Sequence, residues 1–184
     1  MVLWGKMIKF YAPRDPFGCF SNFSRHPVKV FGHTFTTSEH AFQAYKFHPH
    51  RPDLFEKVRD AASPTACCNI ARDRSNPIRP DWDDVPDDAQ QICPVINFVQ
   101  PQDGIVRPGV EAEPVGSRVK DLVMLRVVLL KFQQNKSCKE ELLSTAEEPL
   151  VEDALHDPYW GWGSSRIGEN KLGRILMVVR GILR

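Results

Sequence analysis

The stretch Ser117-Arg118-Val119-Lys120-Asp121-Leu122-Val123-Met124-Leu125-Arg126-Val127-Val128-Leu129-Leu130-Lys131-Phe132-Gln133-Gln134 reads as the strongest helix of the chain. Leu122, Met124, Leu125, Val127, Val128, Leu129 and Leu130 leave it apolar nearly all round, which predicts a central, buried helix. Further helices follow from periodicity and caps. The last begins near Asn170 and presents Leu172, Ile175, Leu176 and Val179 at i, i+3, i+4 and i+7, with Arg174 and Arg184 on its outer side. Glu140 to Ser144 is a shorter one, and Asp53 opens another through Leu54, Phe55 and Val58. Ser63-Pro64 sets a hydroxyl cap before a proline at the first helical position, with Ala66, Cys67 and Ile70 as the buried side.

Strands are few and short. Met7 to Tyr11 alternates, Pro27 to Phe31 is a second strand, and a turn at Gly32-His33 lets Thr34 to Thr36 complete a hairpin. Between them, Pro13 to Asn22 is turn-rich, with Gly18 as its pivot. Leu150-Val151-Glu152 is a further short strand. The expected fold class is α+β, mostly α-helical, with a few short strands near the N-terminus. A chain of 184 residues without internal repeats favours a single domain, 1–184. From Asp83 to Gly116 prolines recur at 86, 94, 101, 108 and 114, and acids gather at Asp83, Asp84, Asp87 and Asp88. This reads as an insertion with little regular structure, and a loop of that length is either functional or disordered.

Composition places the chain among soluble globular proteins, with 42% apolar and 26% charged residues. A net charge of +1 supplies no global field for a polyanion, so any nucleic-acid contact must come from a local patch. Five cysteines form no C-x-x-C pair and no zinc spacing, and Met1 to Phe10 lacks a leader-like apolar run. Reduced thiols in an intracellular compartment, cytoplasmic or nuclear, are expected. No apolar run approaches the ~18 residues of a membrane span. No metal constellation stands out, since His33 and His40 are close in sequence but a lone helix histidine is rarely a ligand. No Walker loop, dinucleotide fingerprint or nucleophile elbow is present, and no cofactor is expected.

Candidate chemistry begins at Thr37-Ser38-Glu39-His40-Ala41-Phe42-Gln43-Ala44-Tyr45-Lys46-Phe47. Thr37 or Ser38 can cap the helix start, and Glu39 sits where negative charge suits the dipole. Glu39, Gln43 and Lys46 fall at i, i+4 and i+7 on one stripe, while Phe42 and Tyr45 turn towards the core. A carboxylate beside an amine suits chemistry at a sugar carbon. On spacing alone a solvated polar face with a weak acid–base pair is the favoured reading.

A second stretch, Asp157 to Asn170, carries Trp160, Trp162, Gly161, Gly163 and Gly168 and ends at a helix start. Glycine lets backbone approach a ligand, free N–H groups suit a phosphate, and tryptophan offers a face to a base. A turn-rich loop with its aromatics in the core is the competing reading. Arg72, Arg74 and Arg79 can hold phosphate bidentately or stand in solvent. Phe20-Ser21-Asn22-Phe23 is a compact aromatic–polar turn fit to grip a base or a ribose hydroxyl.

Taken together these segments resemble the YbiA-like family, also called NADAR (NAD- and ADP-ribose-associated). The likeness runs in order through Phe10-Tyr11, Gly18 to Phe23, Thr37 to Phe47, Ala71 to Arg74, Asp81-Trp82, Lys131-Phe132, Leu150 to Glu152, Asp157 with Trp160-Gly161, Gly168 with Asn170, and Leu172-Gly173 with Leu176-Met177. It implies a compact YbiA-like domain and cleavage of N-glycosidic bonds. The family includes members that hydrolyse early riboflavin-pathway intermediates, releasing ribose 5-phosphate, and members that remove ADP-ribose from guanine in nucleic acid. Its functional positions fall on Glu39, Lys46, Trp82 and Asp157, with Asn22, Arg72 and Trp160 in the pocket. The insertion after Trp82 departs from the short bacterial pattern.

The expected reaction is hydrolysis of a bond between ribose C1 and an exocyclic amine. Catalysis is assigned to Glu39, Lys46 and Asp157. Substrate binding is assigned to Phe20, Ser21, Asn22, Gln43, Arg72, Arg74, Trp82, Trp160, Gly161 and Asn170. Glu39 or Asp157 moves the proton; Lys46 either attacks the opened C1 as a Schiff-base nucleophile or only holds charge. The expected partner is an ADP-ribose-containing substrate, ADP-ribosylated nucleic acid in the first place. A riboflavin intermediate and a non-catalytic ADP-ribose reader are the alternatives.

Overall fold

The computed structural model describes residues 7–94, 96 and 115–184. Its centre is the predicted long helix. Val119–Gln134 forms a helix whose residues Leu122, Val123, Leu125, Val127 and Phe132 are all enclosed. Its least apolar position on the middle turns, Arg126, reaches outward to donate to the carbonyl of Ile92 at 2.8 Å. The insertion contributes one short helix to this neighbourhood, Ala89–Ile92, capped by the Asp88 carboxylate, which accepts from the N–H groups of Gln90 and Gln91. Residues 95 and 97–114 of the expected 83–116 insertion lie outside the described residues, as do residues 1–6.

The elements run in the order β1 (Ile8–Phe10), a 3-10 turn (Gly18–Phe20), β2 (Val28–Val30), β3 (His33–Phe35), α1 (Ser38–Tyr45), α2 (Pro52–Arg59), α3 (Pro64–Arg72), α4 (Ala89–Ile92), α5 (Val119–Gln134), α6 (Lys136–Ser144), β4 (Leu150–Glu152) and α7 (Lys171–Leu183). The predicted α+β, mainly helical class is the observed one. α1, α4, α6, α7 and β2 all pack on α5. Burying a central apolar helix on every side is what lets so many short elements share one core.

Two boundaries differ from the sequence reading. The hairpin turn is Phe31-Gly32, not Gly32-His33, because Val30 pairs with His33. Phe31 and Gly32 both take positive φ, 53° and 83°, the two-residue turn whose twist matches a hairpin. Phe31 holds this uncommon backbone with its ring stacked 3.6 Å from Tyr45 and beneath the Arg126 guanidinium. Helix α6 begins at Lys136, four residues before the expected Glu140. β4 falls where expected, at Leu150–Glu152, and returns over a long connection to pair in parallel with β1, placing Phe10 opposite Glu152.

Arg174, expected on the outer side of α7, is buried at 2% exposure. The i, i+3, i+4, i+7 pattern marks one apolar stripe, but α7 packs on α5, on α6 and on β4, so its polar side is also covered. The carboxylates of Glu169 and Asp121 act on the Arg174 charge. Arg184 is exposed as expected and pairs with Glu147. All five cysteines are free thiols. Among the described residues no helix is long and apolar enough to cross a membrane.

Candidate active site

Helix α1 supplies one wall of the site. Thr37 is its cap: Oγ1 accepts from the His40 N–H at 3.3 Å. The next free N–H, that of Glu39, donates to the Asn22 carbonyl at 3.0 Å and so ties the helix start to the turn before β2. Glu39 and Gln43 are buried, 8% and 4% exposed, so the stripe is not a solvated face. Gln43 Nε2 donates to Glu39 Oε1 at 2.7 Å, and the Cys68 thiol from α3 reaches the same oxygen at 2.9 Å. Lys46 closes the stripe at the helix end. Burial holds its amine below the ordinary lysine value, with Glu39 opposing that shift and Arg72 reinforcing it.

The opposite wall is the loop after β4. Asp157 Oδ1 accepts from the N–H groups of Tyr159 at 3.0 Å and Trp160 at 2.9 Å, an Asx turn that sets both aromatics. Trp160 meets Phe42 edge-on at 5.2 Å, and the Trp82 ring lies tilted 5.2 Å from the same Phe42, giving an aromatic floor between the two walls. Tyr159 is fixed by its hydroxyl, which donates to Asp121 Oδ1 at 2.6 Å, while Lys171 donates to the other oxygen at 3.1 Å. Both charged side chains of that pair are fully enclosed.

The third side is the turn from Gly18 to Ser24. Lys131, wholly buried on α5, donates to the Ser21 carbonyl at 3.0 Å, to Ser24 Oγ at 2.8 Å and to the Cys19 carbonyl. Burial pushes its amine down to about 8. The lysine thereby shapes the turn that presents Ser21 and Asn22. Asn22 Oδ1 and Gln43 Oε1 are enclosed without a hydrogen-bond partner, two acceptors available to a bound molecule.

These walls enclose a cleft of about 650 Å³. Glu39, Lys46 and Asp157 all line it, with Ser21, Asn22, Gln43, Arg72, Trp82 and Trp160. Four expected binding residues do not line it. Phe20 packs in the core, edge-on to Phe10 at 5.6 Å. Arg74 is exposed on the surface beyond α3. Gly161 is a close approach to the chain itself, since a Cβ there would fall 2.8 Å from the Glu152 carbonyl. Asn170 joins β4 to α7, donating to the Leu150 carbonyl and accepting from the Glu152 N–H, both at 2.9 Å. Arg79, the third arginine of its segment, is occupied by Asp81 at 2.6 Å.

Glu152 is the residue that sequence reading missed. The sequence marks it only as the end of a strand, while its side chain lines the cleft. Burial first, then the charges of Asp157 and Glu39, push its carboxyl up to about 8. The available signal was an acid closing an apolar strand, Leu150-Val151-Glu152. Lys120, Tyr11, His156 and Tyr159 also line the cleft. Among the described residues no group of three or more His, Cys, Asp or Glu side chains is arranged to hold a metal ion.

The NADAR domain model matches residues 99–184. The chain is 34% identical to N-glycosidase YbiA of Escherichia coli over 97% of this chain and 89% of that protein. It is 31% identical to an N-glycosidase of Nostoc punctiforme, over 96% of this chain and 92% of that one. A chloroplastic riboflavin biosynthesis protein, PYRR of Zea mays, is 32% identical over 95% of this chain and 25% of its own length. The NMR structure of Escherichia coli YbiA superposes with a TM-score of 0.71 at 34% identity, covering 99% of this chain and 87% of that one.

Proposed function

Because this chain belongs to the YbiA-like NADAR family, we propose that it is an N-glycosidase, a hydrolase of bonds between ribose C1 and an amine. The observation that carries the reading is the meeting of Glu39, Lys46 and Asp157 on one aromatic-floored cleft. Its relatives from Escherichia coli and Nostoc punctiforme bear the name N-glycosidase. The whole chain, 1–184, is read as one YbiA-like domain with an insertion at 83–116.

A ribosylamine opens when its ring oxygen is protonated and the nitrogen lone pair moves to C1. A carboxyl group on the cleft supplies the proton, and Glu39 activates the incoming nucleophile. Lys46, held below the usual lysine value, attacks the opened C1 and forms a Schiff base that water resolves. Asn22 and Gln43 receive the ribose hydroxyls through their open amide oxygens.

ADP-ribosylated guanine in nucleic acid is the preferred substrate. The cleft volume and the exposed Tyr11 and Phe23 at its lining suit a dinucleotide-sized ligand with a base to stack. Arg72 is the cation on the lining that favours a pyrophosphate, with Lys120 beside it in a pair with Asp83. A riboflavin-pathway ribosylamine is the second reading, favoured by the riboflavin biosynthesis relatives of Zea mays and Vibrio vulnificus.

Product analysis on both substrates, with the wild type and Glu39→Gln, tests the reading. Release of ADP-ribose from ADP-ribosylated oligonucleotide, lost in the variant, is expected. Thermal shift separates the substrates: a ligand at a hundred times its Kd stabilises by about 2.7 kcal/mol. ADP-ribose should therefore raise Tm well above ribose 5-phosphate, and a reversed order favours the riboflavin intermediate.

A further inference from the structure

Of the four carboxylates on the cleft, Asp83 is paired with Lys120 at 2.6 Å, and the surroundings of the other three differ. Glu39 Oε1 already accepts from Gln43 and Cys68. Asp157 Oδ1 already accepts from two backbone N–H groups. Glu152 Oε2, by contrast, is enclosed with no hydrogen-bond partner among the described residues, although the residue as a whole is only partly buried. Enclosing a bare carboxylate oxygen is costly, whereas a carboxyl that keeps its proton avoids the charge. It also gains a donor that the other two lack.

The backbone holds this group firmly. The Glu152 N–H donates to Asn170 Oδ1 at 2.9 Å, its carbonyl accepts from the Trp162 N–H at 3.2 Å, and the residue pairs with Phe10 across the β1–β4 ladder. A group set by a strand on both edges keeps its position better than one on a free loop.

We propose that Glu152, rather than Glu39 or Asp157, is the general acid of the site and protonates the ring oxygen of the bound ribosyl group. This assignment rests on the N-glycosidase reading. In the step, the Glu152 carboxyl proton passes to the ring oxygen. The C1–O bond breaks with its electron pair on that oxygen, and the nitrogen lone pair forms the C1=N bond. Glu152 is left as a carboxylate beside the cationic iminium and recovers its proton when the ring recloses. Glu39 and Asp157 remain as acceptors for the nucleophile's proton and for the positive charge.

The titratable and charged groups around Glu152 agree with this. Glu39 and Lys46 line the cleft from α1 and its end, Arg72 from α3, Asp83 from the segment after Trp82, Lys120 from α5, Tyr11 from just past β1, and His156, Asp157 and Tyr159 from the loop after β4. Burial first, then the charges of Asp157 and Glu39, push the carboxyl up to about 8. It therefore holds its proton at neutral pH and loses it as pH rises through that value.

The test is the pH profile of kcat for the full chain and for Glu152→Gln, on ADP-ribosylated oligonucleotide and on a pyrimidine phosphoribosylamine. The wild type should lose activity above about pH 8; Glu152→Gln should lose at least about 100-fold at neutral pH and lack that alkaline limb. A variant within about threefold of wild type, or one keeping the limb, overturns the assignment while leaving the N-glycosidase reading intact. Cleavage of neither substrate by the wild type overturns the reading and the assignment with it. Glu152→Asp guards against a misfolded amide: it should lower kcat and move the limb, and an unmoved limb counts against Glu152. Infrared difference spectra at neutral pH provide a readout without turnover. A protonated-carboxyl band that disappears in Glu152→Gln is expected, and its absence from the wild type overturns the assignment.

Discussion

The thiol of Cys68 donates to Oε1 of Glu39 at 2.9 Å, the same oxygen that Gln43 reaches at 2.7 Å. The contact joins α3 to α1 and turns a buried cysteine into a partner of the carboxylate proposed for proton transfer. The mutual effect is visible on the thiol, whose ionisation is pushed upward, after its neighbour Cys67 and burial, by the Glu39 charge. Cys68→Ala removes one of the two donors that orient Glu39. A hydrogen bond to a charged group contributes about 1.5–3 kcal/mol, so kcat/KM should fall by about tenfold or more. Cys68→Ser, which restores an O–H donor, should recover most of it. Indistinguishable rates for the two variants in a product assay would mean that the contact is only packing.

Lys46 separates the covalent from the direct route. Borohydride added during turnover should trap a ribosyl adduct on Lys46, detected by peptide mass analysis. Lys46→Ala should abolish the adduct and lower kcat by at least about 100-fold. A fully active Lys46→Ala protein without any adduct would leave Glu39-activated water as the nucleophile.

The stability of the chain should depend on pH through Glu152. In the folded state the carboxyl keeps its proton up to about pH 8, against an ordinary value of 4.5. Between those values the folded chain binds more protons than the unfolded one, so stability falls as pH rises through the window. The contribution is fully present below the ordinary value and is lost at the upper end. Glu152→Gln should flatten this slope and should be the more stable protein above about pH 8, by on the order of 1–3 kcal/mol. Urea midpoints measured across the window check it.

Lys131 gives the opposite sign at higher pH. Its folded value lies near 8 against an ordinary 10.5, so between those values the unfolded chain binds more protons and stability rises with pH. Lys131→Met leaves the Ser21 carbonyl and Ser24 Oγ without this donor. A loss of about 2–4 kcal/mol, equivalent to a Tm drop of about 5–10 °C, is expected. Binding of ADP-ribose should weaken as well, since the turn presenting Ser21 and Asn22 loses its support. Calorimetry showing an unchanged Tm would mean that the turn holds itself.

The sequence by itself determined the long central helix, the helix of the Glu39 stripe and the content of one wall of the site. The apolar run of α5 and the cap and stripe of α1 are local patterns, written in residues a turn apart, and both appear where periodicity puts them. The ordered motifs from Phe10 to Met177 likewise determined the family. The tertiary structure decided what those patterns face. Parallel pairing of β4 with β1 turned Glu152 from a strand end into a cleft carboxyl. Packing of α7 on three sides enclosed Arg174. Asn170 and Gly161, read as ligand contacts, serve the joint between β4 and its following segments, and Cys68 reaches Glu39 across 29 positions of chain. Hydrogen bonds and charge effects act over a few ångströms in space, so their partners come from whichever segments the core brings together. Spacing along the chain records only those pairs that share a single helix or strand.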